Sequence, residues 1–81
     1  MARISGQQDS AGQLKALGEA VRAARKARGM SQESLADAAG IDRSHMGKIE
    51  RGERNVTLLN VVKIAAALDG KPSHLLADAG L

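Results

Sequence analysis

The chain has 81 residues with no cysteine and no aromatic residue, and its net charge is +3. That length holds one small domain, and a core lacking Phe, Tyr and Trp must be built from Leu, Ile, Val, Met and Ala, which suits packed helices better than packed sheets. The missing cysteines exclude disulfide stapling, zinc-finger ligation and thiol catalysis. No apolar run approaches the ~20 residues that span a bilayer, and the opening MARISGQQDS lacks the apolar block of a signal peptide, so a cytoplasmic location is expected. A basic chain is compatible with a nucleic-acid partner. Bases outnumber acids in residues 1–30 but not in residues 31–55, so charge alone does not identify that partner.

In chain order, residues 1–10 are polar and contain Gly and Ser. They are expected to form a mobile arm ahead of a single domain over residues 11–81. From Ala11 to Arg28, Leu14, Leu17, Val21 and Ala24 recur at helical spacing. Gly29 ends this helix, and Arg25, Lys26 and Arg28 suit the negative end of its dipole. Arg22, Lys26 and Arg28 read as a solvated face. Three further helix starts share one signature. Ser31, Asp42 and Thr57 are N-cap residues. Each is preceded by an apolar residue (Met30, Ile41, Val56) and followed four positions on by another (Leu35, Met46, Val61), which is the hydrophobic staple. Gly40, Gly52 and Gly70 follow these helices, and Pro72 opens a short fifth helix through Ala77. No strand-like alternation, internal repeat or low-complexity segment is present. The expected fold is all-α, a compact five-helix bundle.

Within residues 32–51, QESLADAAGIDRSHMGKIER, two short helices flank a tight turn. Ala36 supplies the small side chain where steeply crossing helices meet, and Gly40 the left-handed backbone of the turn. On a helical wheel of the second of these helices, Met46 and Ile49 face the core, while Arg43, Ser44, Gly47, Lys48 and Arg51 share the opposite arc of ~140°. A short helix carrying cations and a hydroxyl on one face fits a DNA major groove. Arg43, at its leading end, is suited to donating two hydrogen bonds to guanine, and Ser44 to contacting base or phosphate. Gly47 gives up ~1 kcal/mol of helix propensity. Either close approach to DNA or simple tolerance of a mediocre helix accounts for it.

The stretch RAARKARGMSQESLADAAGIDRSHMGKIERGERNVTLLNVVKIAAAL resembles the Cro/CI-type (XRE-like) helix-turn-helix regulators, and the likeness spans roughly residues 14–77. DRSHMGKIERGERNVTL is similar to the small controller proteins of restriction–modification systems. The resemblance implies a lambda repressor-like DNA-binding domain. It gives base-reading roles to Arg43, Ser44 and Lys48, and places Gln32 on the DNA backbone as a buttress of the recognition helix. It puts Arg54 and Asn55 at backbone-contacting positions, and Arg25 and Glu50 at those of a buried ion pair. Gly47 departs from the family pattern.

His45 and His74 lie apart without ligand-spaced companions, and adjacent Ser44 and His45 point ~100° apart on a helix. Neither a metal site nor catalysis is expected, and no cofactor or small-molecule ligand. The segment Leu58 to Leu68 is apolar nearly all round except at Asn60 and Lys63. Such a helix is buried on more than one side. One side is expected to face the core and the other a second copy of the chain, through Leu58, Leu59, Val62, Leu75 and Leu76. The expected function is that of a homodimeric, nucleoid-associated transcriptional regulator, repressor or activator, on a pseudo-palindromic site in double-stranded DNA. The alternative is an antitoxin or antirepressor whose main partner is another protein.

Overall fold

A computed structural model describes residues 12–81, so the expected N-terminal arm lies outside the described residues. Five α-helices follow in order: α1 (Gln13–Ala27), α2 (Gln32–Ala39), α3 (Arg43–Glu50), α4 (Leu58–Ala67) and α5 (Pro72–Asp78). No strand occurs among the described residues. The three predicted caps each satisfy an otherwise orphaned N–H. Ser31 Oγ accepts from Ser34 N at 3.0 Å, Asp42 Oδ2 from His45 N at 3.3 Å and Thr57 Oγ1 from Asn60 N at 3.1 Å. Gly12, in the left-handed region with φ 71°, is the N-cap of α1, which runs from Gln13; Ala11, where the helical spacing opens, lies outside the described residues.

The end of α3 is a Schellman motif. Gly52 N donates to Ile49 O at 3.0 Å, Glu53 N donates to Lys48 O at 2.9 Å, and Gly52 takes φ 73°. Gly70 follows α4 as expected, but the left-handed residue there is another. Asp69, not Gly70, adopts the left-handed conformation at φ 56°, and Gly70 N closes the motif on Ala65 O at 2.9 Å. Asp tolerates that region better than most side chains, which leaves the glycine one place too late to be needed there.

Leu35, Met46, Ile49, Ile64 and Val21 are the largest wholly enclosed side chains, joined in the core by Leu17, Ala36, Ala39, Val61, Leu68 and Leu75. Helix α2 packs on α3 and α4, while α1 packs on α3 and α5. The steep α2–α3 crossing closes over Ala36, which has no exposed surface. Contact between α1 and α3 depends on Gly18. A Cβ there would stand 2.5 Å from the carbonyl oxygens of both Ile49 and Glu50. Gly52 is similarly wedged, its would-be Cβ 2.7 Å from Lys15 Cα. The last turn of α3 is therefore pressed against the first turns of α1.

The two sides of α4 separate clearly. Val61, Ile64 and Leu68 are buried, whereas Leu58 (73%), Leu59 (62%) and Val62 (42%) remain exposed. Two residues expected beside them do not join that patch. Leu75 lies in the core, and Leu76 is half-buried against it, because α5 folds back to pack on both α1 and α4.

Candidate nucleic-acid interface

Helix α3 divides its surface as the wheel requires. Met46 and Ile49 are enclosed, Arg43, Ser44 and Arg51 are exposed, and Lys48 is half-buried. Gln32, Arg43, Ser44, Gly47 and Arg51 together line an open, predominantly polar hollow of about 330 Å³ between the start of α2 and the face of α3. Arg54 and Asn55 are exposed in the loop that leads to α4. All seven positions expected to meet DNA are thus at least partly accessible, and four of them share this hollow.

Behind the face, α3 is held by a buried charge cluster. Arg25 Nε donates to Glu50 Oε2 at 2.8 Å and Arg25 Nη2 to Glu50 Oε1 at 3.0 Å, a two-pronged pair whose side chains are 11% and 2% exposed. The third prong, Nη1, donates to Met30 O at 2.9 Å, fixing the turn between α1 and α2. Hydrogen bonding to Glu50 holds the Arg25 guanidinium above its already high ordinary pKa, against the opposing effect of burial. Gln32 Nε2 donates to Glu50 Oε1 at 3.0 Å. A carboxylate only accepts, so this bond fixes the amide: Nε2 points inward and Oε1 faces α3.

That orientation explains Gly47. Its position is buried rather than laid bare for close approach to DNA. A Cβ there would lie 3.3 Å from Gln32 Oε1 and 3.2 Å from Arg51 Nη1. The missing side chain makes room for Gln32 and Arg51 to lie across the helix. Arg51 is also paired. Its Nε donates to Glu53 Oε2 at 2.9 Å and its Nη2 to Glu53 Oε1 at 3.3 Å. The hydrogen bond from Arg51, with further attraction from Lys48 and Arg54, holds the Glu53 carboxyl below the usual carboxylate range. Glu53 is a member of this face that the sequence reading passed over. Its only signal was an acid two residues after an arginine, across the glycine that ends the helix.

His45 is half-buried, and its Nε2 is shielded from solvent with no hydrogen-bond partner among the described residues. No group of three or more His, Cys, Asp or Glu able to hold a metal occurs among those residues. No described helix is long and apolar enough to cross a membrane.

An accessible cationic helix face, braced by a second helix through a tight glycine turn, is the hallmark of helix-turn-helix DNA-binding domains. The helix-turn-helix family profile matches residues 21–75, and the chain belongs to that family of DNA-binding transcription regulators. It is 43% identical over 65 residues to the control protein C.SmaI of Serratia marcescens, covering 80% of this chain and 77% of that one. Among solved structures it is similar to the restriction-modification controller protein C.AhdI from Aeromonas hydrophila. That match has a TM-score of 0.75 at 50% identity, over 76% of this chain and 94% of the other. The clp gene regulator ClgR from C. glutamicum superposes with a TM-score of 0.80 at 26% identity, over 84% and 88% of the two chains.

Proposed function

We propose that the protein is a restriction–modification controller-type regulator that reads a pseudo-palindromic operator as a homodimer in the cytoplasm. The observation that carries the reading is the division of α3. One side is locked to the core by Met46, Ile49 and Glu50, and the other presents Arg43, Ser44, Lys48 and Arg51 beside Gln32. Likeness to two control proteins at 43% and 50% identity supports the regulatory role. Arg43 and Ser44, at the leading end of the helix, are assigned to base edges. Arg54 and Asn55 are assigned to phosphate.

Selection of bound sites from random DNA, followed by titration of Arg43→Ala, tests this reading. The variant is expected to lose about 1–3 kcal/mol on the selected site and to relax its preference at one base pair. Equal loss on selected and random DNA would reduce Arg43 to a phosphate contact. Failure to select any site, with binding insensitive to salt, would remove the DNA reading and leave a protein partner in its place.

The dimer follows from the exposed apolar patch of Leu58, Leu59 and Val62 on α4. Patches of this kind mark interfaces, and pairing of like patches gives two-fold symmetry. Each protomer measures 34 × 24 × 18 Å. Two recognition helices one DNA turn apart, about 34 Å, therefore suit two copies side by side, with half-sites repeating at about 10 base pairs. Leu59→Asp leaves the core untouched. It is expected to give a monomer by light scattering and to lower operator affinity at least about tenfold, since the second half-site no longer binds in concert. A parent protein that is monomeric at micromolar concentration and protects a single asymmetric site would refute the dimer.

A further inference from the structure

We infer that Glu53 is a specificity-determining residue: it positions the Arg51 guanidinium on the base-reading hollow and withholds it from phosphate. The inference rests on the reading of this face as the DNA-binding surface and assigns a role to an acid within it.

The guanidinium is engaged along one edge. Nε and Nη2 donate to the two carboxylate oxygens of Glu53 at 2.9 and 3.3 Å, while Nη1 lies over Gly47 in the hollow shared with Gln32, Arg43 and Ser44. The pair is exposed, its side chains 57% and 53% accessible, but the backbone that carries the carboxylate is well anchored. The Glu53 N–H closes the Schellman motif on Lys48 O at 2.9 Å, and neighbouring Gly52 is wedged against the Lys15 backbone. The pair is therefore carried by a fixed helix end rather than a loose loop. The hydrogen bond from Arg51, with Lys48 and Arg54 nearby, lowers the Glu53 carboxyl below the usual carboxylate range. Gly47 completes the arrangement, because a side chain there would press on Arg51 Nη1 at 3.2 Å.

Two consequences differ between specific and non-specific DNA. Non-specific binding draws essentially all its strength from cations neutralising phosphates. An arginine already neutralised by a tethered carboxylate contributes little to it. Specific binding reads base edges, where an arginine held in one orientation pays less entropy for each hydrogen bond it forms. Freed from Glu53, Arg51 swings out to the backbone like any surface cation. Glu53 thus lowers affinity for arbitrary sequence more than affinity for the operator.

The test is a pair of substitutions read on selected operator and on random DNA across a salt series. Glu53→Gln is expected to raise affinity for random DNA several-fold and to steepen its salt dependence by up to about one phosphate contact. The operator-to-random ratio should fall roughly three- to tenfold, with thermal melting unchanged. In an Arg51→Ala background the same Glu53→Gln change is expected to leave the ratio unaltered, because the effect passes through Arg51. An unchanged ratio for Glu53→Gln alone overturns the inference, even if the parent discriminates well. A fall that persists without Arg51 overturns it too, since Glu53 would then act only as a bulk charge. A parent that binds neither DNA removes both this inference and the DNA reading beneath it.

Discussion

Glu50→Ala is expected to lower the free energy of unfolding by about 3–5 kcal/mol. The substitution removes the acceptor of three hydrogen bonds, two from Arg25 and one from Gln32, in a site where Glu50 is 6% and Arg25 9% exposed. The Arg25 guanidinium keeps its bond to Met30 O but loses its counter-charge while still enclosed. Desolvation of an unpaired cation, rather than loss of attraction, dominates the penalty. Small domains hold about 5–15 kcal/mol in total, so the variant should be substantially destabilised at room temperature. Glu50→Gln keeps the shape and one acceptor, and is expected to fall between the two. With no aromatic residue in the chain, urea titration followed by far-UV circular dichroism is the suitable measurement. A Glu50→Ala protein that unfolds at the parent's urea midpoint would show that the pair contributes nothing to stability.

Two glycine substitutions on helices should move stability in opposite directions. Replacing a mid-helix glycine by alanine gains about 1 kcal/mol of intrinsic propensity. At Gly18 that gain is overwhelmed. The new methyl would meet two backbone carbonyl oxygens at 2.5 Å, and α1 and α3 must separate to admit it. Overpacking of this kind costs about 1–3 kcal/mol and occasionally more, so Gly18→Ala is expected to be destabilising by about that amount. At Gly47 the methyl meets only the ends of the Gln32 and Arg51 side chains, at 3.3 and 3.2 Å, and each need give by only a few tenths of an ångström. Gly47→Ala is expected to be neutral to about 1 kcal/mol stabilising, while disturbing the hollow that Gln32 and Arg51 line. Parallel thermal melts decide the matter, and a Gly18→Ala protein that melts above the parent would disprove the tight α1–α3 approach.

What the sequence made legible was local. Ser31, Asp42 and Thr57 announce their helices because a cap and its staple are written within six residues, and each makes the hydrogen bond that its position implies. The wheel of α3 separated Met46 and Ile49 from Arg43 and Ser44 because a helix with one apolar stripe has one orientation. Helix α4, apolar on nearly every side, has no such marker. The reading that set Leu58, Leu59 and Val62 away from the core agrees with their exposure, but nothing local said that Leu75 joins the core. Gly18 carries no local sign at all, since its need arises from the backbone of a distant helix. Gly47 gave a sign with the wrong cause: the space it leaves is filled by the protein's own Gln32 and Arg51.

Arg43 and Ser44 are exposed and make no side-chain hydrogen bond or ion pair among the described residues. Substitutions at such positions usually change stability by no more than about 0.5 kcal/mol in either direction. Under the proposed base-reading role of Arg43 and Ser44, target preference can therefore drift through these two side chains while the scaffold beneath stays constant, and a copied gene can acquire a separate set of targets without first acquiring a new fold. Gln32 is exempt from that freedom. Its amide is committed to Glu50, so a change there is felt by the folded state and by the hollow on α3 at once.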